Sequence, residues 1–365
     1  MKLLTVFGTR PEIIRLCFVM KTLDRFCEHV TVHTGQNFHS NLSDVFFDEL
    51  ELRQPDRMLD VRGSSFGEQA GQLFTKIETV FDEVQPDRVL ILGDTNSALA
   101  ALVAARRRIP VFHMEAGNRC YDDRVPEEVN RRIIDHSSSV LLPYTERSKE
   151  NLVREGIERE RIFVTGNPIF EVLSKFESKI DASDVLTQLN VSPKEYFLAT
   201  IHRAENVDTP ETLRSIISAF DQVAAEYQRS VLVSVHPRTA EKLNRFEIKT
   251  DPERIRLLDA MPFFSFVKLE KNAFMVLSDS GTVQEECSIF KVPNVTVRDV
   301  TERPETIECG SNIIGGTTVD SILRAVRIGA DATPKWNAPK EYLVNDVSRT
   351  VANIVLGRIS LREHH

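Results

Sequence analysis

A chain of 365 residues with 41% hydrophobic and 27% charged side chains has room for two domains with separate cores, and lies outside the compositions of disordered or fibrous proteins. Its formal net charge of −8 argues against broad nucleic-acid binding, so any anionic ligand must be held by a local cluster of Arg and His. The five cysteines, Cys17, Cys27, Cys120, Cys287 and Cys309, suggest neither a disulfide framework nor a metal site, and no apolar run approaches the ~20 residues that span a bilayer; a cytoplasmic protein with reduced thiols is expected.

From the N-terminus, the apolar run Lys2–Phe7 ends in Gly8-Thr9-Arg10-Pro11-Glu12, after which apolar residues recur at helical spacing to about Phe26. Pro11 fits the first helical turn, Gly8 permits a sharp backbone turn, and Arg10 stands at the carboxyl end of the strand, where open α/β sheets bind ligands. A structural ion pair is the alternative for Arg10. A second strand, Val30–Thr34, and an amphipathic helix, Phe66–Val84, follow. The strand Arg88–Leu92 leads through Gly93-Asp94-Thr95 into a helix from Ala98 to Arg108, so Asp94 reads either as a strand-end site residue or as a helix N-cap. Pro110–Met114 places Glu115 at the next strand end. Pro126-Glu127-Glu128 opens another helix, where Glu127 suits a site or simply complements the helix dipole. Strands at Val140–Leu142 and Ile162–Val164, with a helix Arg147–Glu155 between, complete an alternating pattern that requires a parallel sheet.

The polar stretch Lys175–Pro193 reads as a linker, and a second alternating series follows it. Its strands are Tyr196–Thr200, Val231–Val235, Arg256–Leu258, Phe274–Leu277, Asn294–Val297 and Asn312–Ile314. Strand-end loops carry His202, His236 and the stretch Asp279-Ser280-Gly281, which begins a helix. Both histidines also read as helix-capping or core residues. The N–H groups that open the helix after Ser280 form a phosphate cradle, and Arg303 some twenty residues later brings a guanidinium able to reach the same oxygens. The alternative is an N-cap at Ser280 and a surface ion pair at Arg303. Two doubly wound domains with ligand-type residues on strand-end loops imply a central cleft. The domains are expected at 1–166 and 167–343, with a C-terminal helix at about 344–359 returning to the first. There is neither a G-x-G-x-x-G nor a G-x-x-x-x-G-K-[ST] run, which disfavours nicotinamide chemistry and P-loop phosphoryl transfer; no cofactor and no metal are expected.

Eight motifs, in order, resemble the non-hydrolysing UDP-N-acetylglucosamine 2-epimerases. They are Gly8-Thr9-Arg10-Pro11-Glu12, Gly93-Asp94-Thr95, Glu115-Ala116-Gly117, Pro126-Glu127-Glu128 with Asn130-Arg131, Thr165-Gly166-Asn167, His202-Arg203 with Glu205-Asn206, Asp279-Ser280-Gly281 with Gln284-Glu285-Glu286, and Arg298-Asp299 with Thr301-Glu302-Arg303-Pro304-Glu305. The resemblance implies two Rossmann-like doubly wound α/β domains of glycosyltransferase-B type, a homodimer, and 2-epimerisation of a UDP-N-acetylhexosamine. It also implies acid/base roles for Asp94, Glu115, Glu127 and His202. The UDP-sugar ligands it implies are Arg10, Arg15, Arg131, Phe266, Ser280, Gly281, Glu286 and Arg303, with Phe266 at the uracil. Arg15 stands where most members carry Lys, Thr282 replaces a second Gly, and Cys287-Ser288 replaces Ala-Pro. The run His113–Cys120 followed by Arg124–Glu128 looks more like the branch that forms UDP-N-acetyl-L-fucosamine. The family's allosteric substrate site is matched in part, at Gln36, Arg203 and His236. A glycosyltransferase or a non-catalytic UDP-sugar sensor remains as a reading of another class.

Overall fold

The computed structural model describes residues 1–35, 46–331 and 335–358. It divides into two units, residues 1–174 with 341–365, and residues 175–340. The first is built on parallel strands β1 (Lys2–Phe7), β2 (Glu28–His33), β3 (Arg57–Met58), β4 (Arg88–Leu92), β5 (Val111–Met114) and β6 (Val140–Leu142), in the order β3-β2-β1-β4-β5-β6. β1, β4 and β5 are buried almost end to end, and mostly apolar, because helices cover both faces of a parallel sheet. The helix Phe66–Val84 buries Leu73, Ile77, Val80, Phe81 and Val84 against one face, each such side chain stabilising by roughly 1.5–3 kcal/mol. Ser65 caps its start by accepting the Glu68 N–H, and Gln85 ends it in the left-handed region at φ 50°.

The second unit repeats the plan with β7 (Tyr196–Ile201), β8 (Ser230–Val235), β9 (Ile255–Leu258), β10 (Met275–Ser278), β11 (Asn294–Thr296) and β12 (Asn312–Ile314), ordered β12-β11-β10-β7-β8-β9. Phe197, Ile216, Phe220, Val231 and Val233 fill one face, and Leu198, Leu232, Val276 and Cys287 the other. Both units are Rossmann-like. In each, the chain reverses its direction of winding between the first and fourth strands, β1/β4 and β7/β10, and ligands in such sheets bind outside the carboxyl ends of strands at that reversal.

Several local features differ from the sequence reading. The short strand β3 has no signature in the sequence, because it is only two residues long and its side chains are exposed. At Ile162–Val164 there is no full strand but a single bridge from Ile162 to Leu141 at the sheet edge, following a tight turn at Arg159–Arg161. Residues 175–193 include the short helices Glu177–Asp181 and Val185–Gln188, which bury Ile180 and Val185. The first unit runs on to Ser174 rather than stopping at Gly166, since buried Glu171 accepts hydrogen bonds from Ser348 N (2.8 Å) and Oγ (2.6 Å) of the C-terminal helix Val347–Leu356. That helix packs on the helix Arg10–Leu23 of the same unit. No described helix is long and apolar enough to cross a membrane.

Candidate active site

In the first unit the helix Arg10–Leu23 begins with a capping box. Glu12 accepts hydrogen bonds from Gly8 N (3.1 Å), Thr9 N (2.8 Å) and Thr9 Oγ1 (2.7 Å), while Thr95 Oγ1 reaches its other oxygen at 3.1 Å. One buried carboxyl therefore ties the loop after β1 to the loop after β4. Arg10, at the first helical position, lays its guanidinium 4.4 Å from the centre of the Phe46 ring. Burial pushes the Glu12 carboxyl up from 4.5 to about 7, against the opposing pull of Thr9, Gly8 and Thr95. A carboxyl that holds its proton more tightly when folded favours the folded state below pH 4.5 and loses that contribution as pH rises to about 7. Across that window the protein should lose of the order of 3 kcal/mol relative to Glu12→Gln in urea unfolding; parallel stability profiles would contradict this.

Asp94 does not cap a helix. Thr95 occupies the cap position of a tight turn at Asn96–Leu99, and the following helix is Ala100–Arg106 rather than 98–108. The Asp94 carboxylate pairs instead with Arg131, and its backbone carbonyl accepts a hydrogen bond from Asn130 Nδ2 (3.1 Å). Glu115, 7% exposed at the end of β5, adopts φ 65°, with Arg15 Nε 3.9 Å from its carboxylate. Such a backbone is costly for a residue with a Cβ and marks a position whose side-chain direction is specified. Glu127 stands half-buried in the first turn of the helix Pro126–Ser137, where its charge also suits the dipole. Its neighbour Glu128 is fully buried. It accepts from Cys120 N (3.0 Å), Tyr121 N (3.2 Å), Arg131 Nη1 (3.0 Å) and Arg132 Nη2 (3.1 Å), and so anchors the loop that precedes the helix. Glu128 lies within one of the sequence motifs, where its charge alone does not distinguish a buried anchor from a site residue.

The second unit supplies a histidine with an orienting carboxylate. Buried Asp279, immediately after β10, accepts hydrogen bonds from His202 N and Arg203 N (2.9 Å each) and from Asn206 Nδ2 (3.1 Å); its other oxygen lies 3.1 Å from His202 Nδ1. Burial alone would raise the Asp279 pKa, but His202 and these backbone donors outweigh it and hold the carboxyl down at about 2. His202 is therefore neither a cap nor a core residue. Its ring is 39% exposed, with Nδ1 directed at the carboxylate, which leaves Nε2 as the outward nitrogen. Asp279 lies within a motif singled out in the sequence, but its partnership with a residue 77 positions away becomes visible only when β7 pairs with β10.

Ser280 holds the N-cap position of the helix Gly281–Phe290 without capping it: its Oγ pairs with Thr282 Oγ1 at 3.0 Å. Arg303 is buried, its Nε bonded to Glu285, and its guanidinium carbon stands 3.7 Å from where a Cβ on Gly281 would lie. The Arg303 guanidinium thus rests beside the opening of this helix. Gln284 braces the arrangement by accepting from Thr301 Oγ1 (2.6 Å) and Asn312 Nδ2 (3.1 Å), and Arg298 grips Glu302 through two 2.9 Å bonds. Glu286 lies further along the helix, 5% exposed. It neighbours buried Glu270, whose carboxyl is pushed well up by burial and by the negative charge of Glu286. Cys287 Sγ donates to Glu270 at 3.4 Å. Phe266, on the helix Phe263–Asn272, is half-buried against the apolar cluster that includes Leu198, Val276 and Val283.

His236 is exposed and caps the helix Pro237–Arg245, its Nδ1 accepting from Arg238 N (3.2 Å); its ring centre is 6.4 Å from that of His202. Gln36 lies outside the described residues. Among the described residues, no group of three or more His, Cys, Asp or Glu side chains could hold a metal ion.

One Rossmann-like unit thus carries carboxylates on the loops at its strand ends, and the other a carboxylate-oriented histidine next to a helix start and a buried arginine. A family model described as UDP-N-acetylglucosamine 2-epimerase matches residues 21–356. The UDP-N-acetylglucosamine 2-epimerase of Methanocaldococcus jannaschii is 41% identical over 347 residues, 93% of this chain and 95% of that one. A crystal structure of the enzyme from that organism, in complex with UDP-GlcNAc and UDP, matches with a TM-score of 0.92 at 40% identity, covering 98% of this chain and 100% of that one. The UDP-2,3-diacetamido-2,3-dideoxy-D-glucuronate 2-epimerase of Pseudomonas aeruginosa is 36% identical over 338 residues, 91% of this chain and 93% of that one. The chain belongs to the non-hydrolysing UDP-N-acetylglucosamine 2-epimerase family, and is an epimerase.

Proposed function

We propose that this epimerase interconverts UDP-N-acetylglucosamine and UDP-N-acetylmannosamine by anti elimination of UDP and its re-addition. The observation that carries the reading is the placement of Asp94 and Glu115 at the ends of adjacent strands β4 and β5, each faced by an arginine. C2 of the sugar bears an acetamido group and is not next to a carbonyl, so its proton is too weakly acidic for simple removal. Breaking the C1–O bond as the C2–H bond breaks solves this: the C–H electron pair becomes the C1–C2 double bond of a 2-acetamidoglucal, and UDP leaves with the glycosidic electrons. UDP then returns to C1 as a proton is delivered to the opposite face of C2, which gives the epimer.

Glu115 or Glu127 acts as base in this scheme, with Asp94 and His202 assisting the return of the proton. Each such group contributes typically 10²–10⁴-fold. Arg303, Ser280 and Gly281 of the second unit are ligands of the diphosphate and Arg10 is the phosphate ligand of the first, while Arg15 and Arg131 orient the Glu115 and Asp94 carboxylates that act on the sugar. Glu286 takes the ribose hydroxyls and Phe266 the uracil. Departing UDP carries the developing charge, which favours guanidinium groups and backbone N–H groups fixed in advance.

The active form is a homodimer and its product feeds cell-surface polysaccharide synthesis. A second reading, the same 2-epimerisation on a UDP-6-deoxy-L-hexosamine to give UDP-N-acetyl-L-fucosamine, is favoured by the run His113–Cys120 with Arg124–Glu128. Proton NMR of the protein with each nucleotide sugar separates the two. UDP-N-acetylmannosamine should accumulate from UDP-N-acetylglucosamine; turnover of the 6-deoxy sugar alone would move the assignment to the second reading, and release of free sugar with stoichiometric UDP would overturn both.

A further inference from the structure

Beneath the strand ends that carry Asp94 and Glu115 lies a buried polar cluster to which the proposed mechanism gives no part. His113 on β5, Asp135 on the helix Pro126–Ser137 and Arg119 have fully buried side chains. His113 Nε2 lies 2.8 Å from the carbonyl oxygen of Gly93, an atom that only accepts, and Nδ1 lies 2.9 Å from Asp135 Oδ1. The other Asp135 oxygen accepts from Gly117 N (3.2 Å) and pairs with Arg119 Nη2 (2.7 Å). Arg119 continues outward to Glu155 through bonds of 2.8 and 2.6 Å, and donates from Nη1 to the Asn118 carbonyl (2.7 Å).

Two backbone turns converge on this cluster. Gly93, at φ 75°, directly precedes Asp94; Glu115 and Gly117, at φ 65° and 79°, form the other turn. Gly117 cannot carry a side chain, because a Cβ there would sit 2.2 Å from the Ser148 carbonyl oxygen, so the turn packs backbone against backbone. Buried ionic clusters are often no more stabilising than apolar residues of the same volume. What this one adds is direction: a single imidazole links the turn before Asp94 to the carboxylate that holds the turn after Glu115. Burial would raise the Asp135 pKa, yet His113 and Arg119 together lower it, which keeps that carboxylate an acceptor for all its donors.

We propose that His113 and Asp135 are positioning residues for the epimerisation, fixing through Gly93 and Gly117 where the Asp94 and Glu115 carboxylates stand. The assignment deepens the reading of the site given above and rests on it for its catalytic consequence, though not for its geometric one. The test compares crystal structures, turnover of UDP-N-acetylglucosamine, UDP binding and thermal unfolding for His113→Asn, His113→Gln and His113→Met. The shorter amide keeps a donor towards Asp135 but cannot reach Gly93; the longer one regains that reach.

His113→Asn should shift the Gly93–Asp94 turn by about 1 Å and lower kcat at least about tenfold, with UDP affinity unchanged, because misplacement of that order is costly to a catalytic group. His113→Gln should restore most of the position and most of the rate, whereas His113→Met, of similar volume but without a donor for the Gly93 carbonyl, should not; equal recovery by His113→Met would show a merely space-filling role. An unmoved Asp94 in His113→Asn, or equal rates in His113→Asn and His113→Gln, would overturn the proposal. If neither folds, Glu155→Gln at the partly exposed outer end serves instead: a severalfold drop in kcat with an unchanged unfolding temperature supports it, and a wild-type rate refutes it. Wild-type protein inert towards every UDP-sugar would sink the proposed function, while the displacement of Asp94 would still decide the positioning role.

Discussion

Asp94→Asn, Glu115→Gln, Glu127→Gln and His202→Asn should each lower turnover by at least about a hundredfold while the protein remains folded, since each removes a proton-transfer or orienting group and little volume. The structure sharpens this expectation for two of them. Asp94 is paired with Arg131, so the Asn variant leaves that buried guanidinium with one carboxylate fewer, Glu128 remaining, and should also lose some stability, of the order of 1 kcal/mol. Glu115 holds a left-handed backbone that Gln can keep, so Glu115→Gln should lose only the long 3.9 Å ion pair to Arg15 and comes nearer to isolating the chemical role. Steady-state kinetics with thermal unfolding on the same preparations check both. Near-normal rates for all four variants would remove the site assignment altogether.

A larger effect is expected at Asp279, which touches no substrate in the proposed scheme. Its carboxylate accepts from two backbone N–H groups and an amide, and faces His202 Nδ1. In Asp279→Asn an amide N–H₂ must face one set of these donors, and the imidazole loses the partner that selects its tautomer. Turnover should fall by 10³-fold or more on the order seen for triads robbed of their carboxylate. The variant should also respond differently to acid. Because the folded carboxyl is held at about 2 against an ordinary 3.8, its stabilisation is present above pH 3.8 and is lost as pH falls towards 2. Wild-type protein should therefore lose stability over that interval relative to Asp279→Asn. A variant with normal turnover and the same acid profile would show that Asp279 merely occupies space.

These expectations divide by how they could be known. The alternation of strand and helix, the carboxyl-end loops and the motifs they carry are local in sequence, and the two Rossmann-like units follow from them. The buried partners are not local. His113 meets Asp135 across 22 positions and His202 meets Asp279 across 77, and which of several acidic residues in a motif is buried depends on the sheet register. Thus Glu127 and Glu128, adjacent in one motif, end with different environments, one half-buried in a first turn and the other wholly enclosed by donors from four residues. A capping role for Asp94 was likewise open in the sequence, because only the position of Arg131 shows where the carboxylate goes. The short strand β3 and the small helices after Lys175 were illegible for a different reason: they are too brief for a period to register.

The central claim, epimerisation by elimination, is tested most directly by running the reaction in D₂O with no added nicotinamide and examining C2 of the product by NMR. A side chain that removes the C2 proton exchanges it with solvent before a proton returns from the opposite face, so near-complete deuterium at C2 is predicted, with traces of free UDP and 2-acetamidoglucal at equilibrium. Product without deuterium at C2, or turnover only when NAD is supplied, would contradict the account.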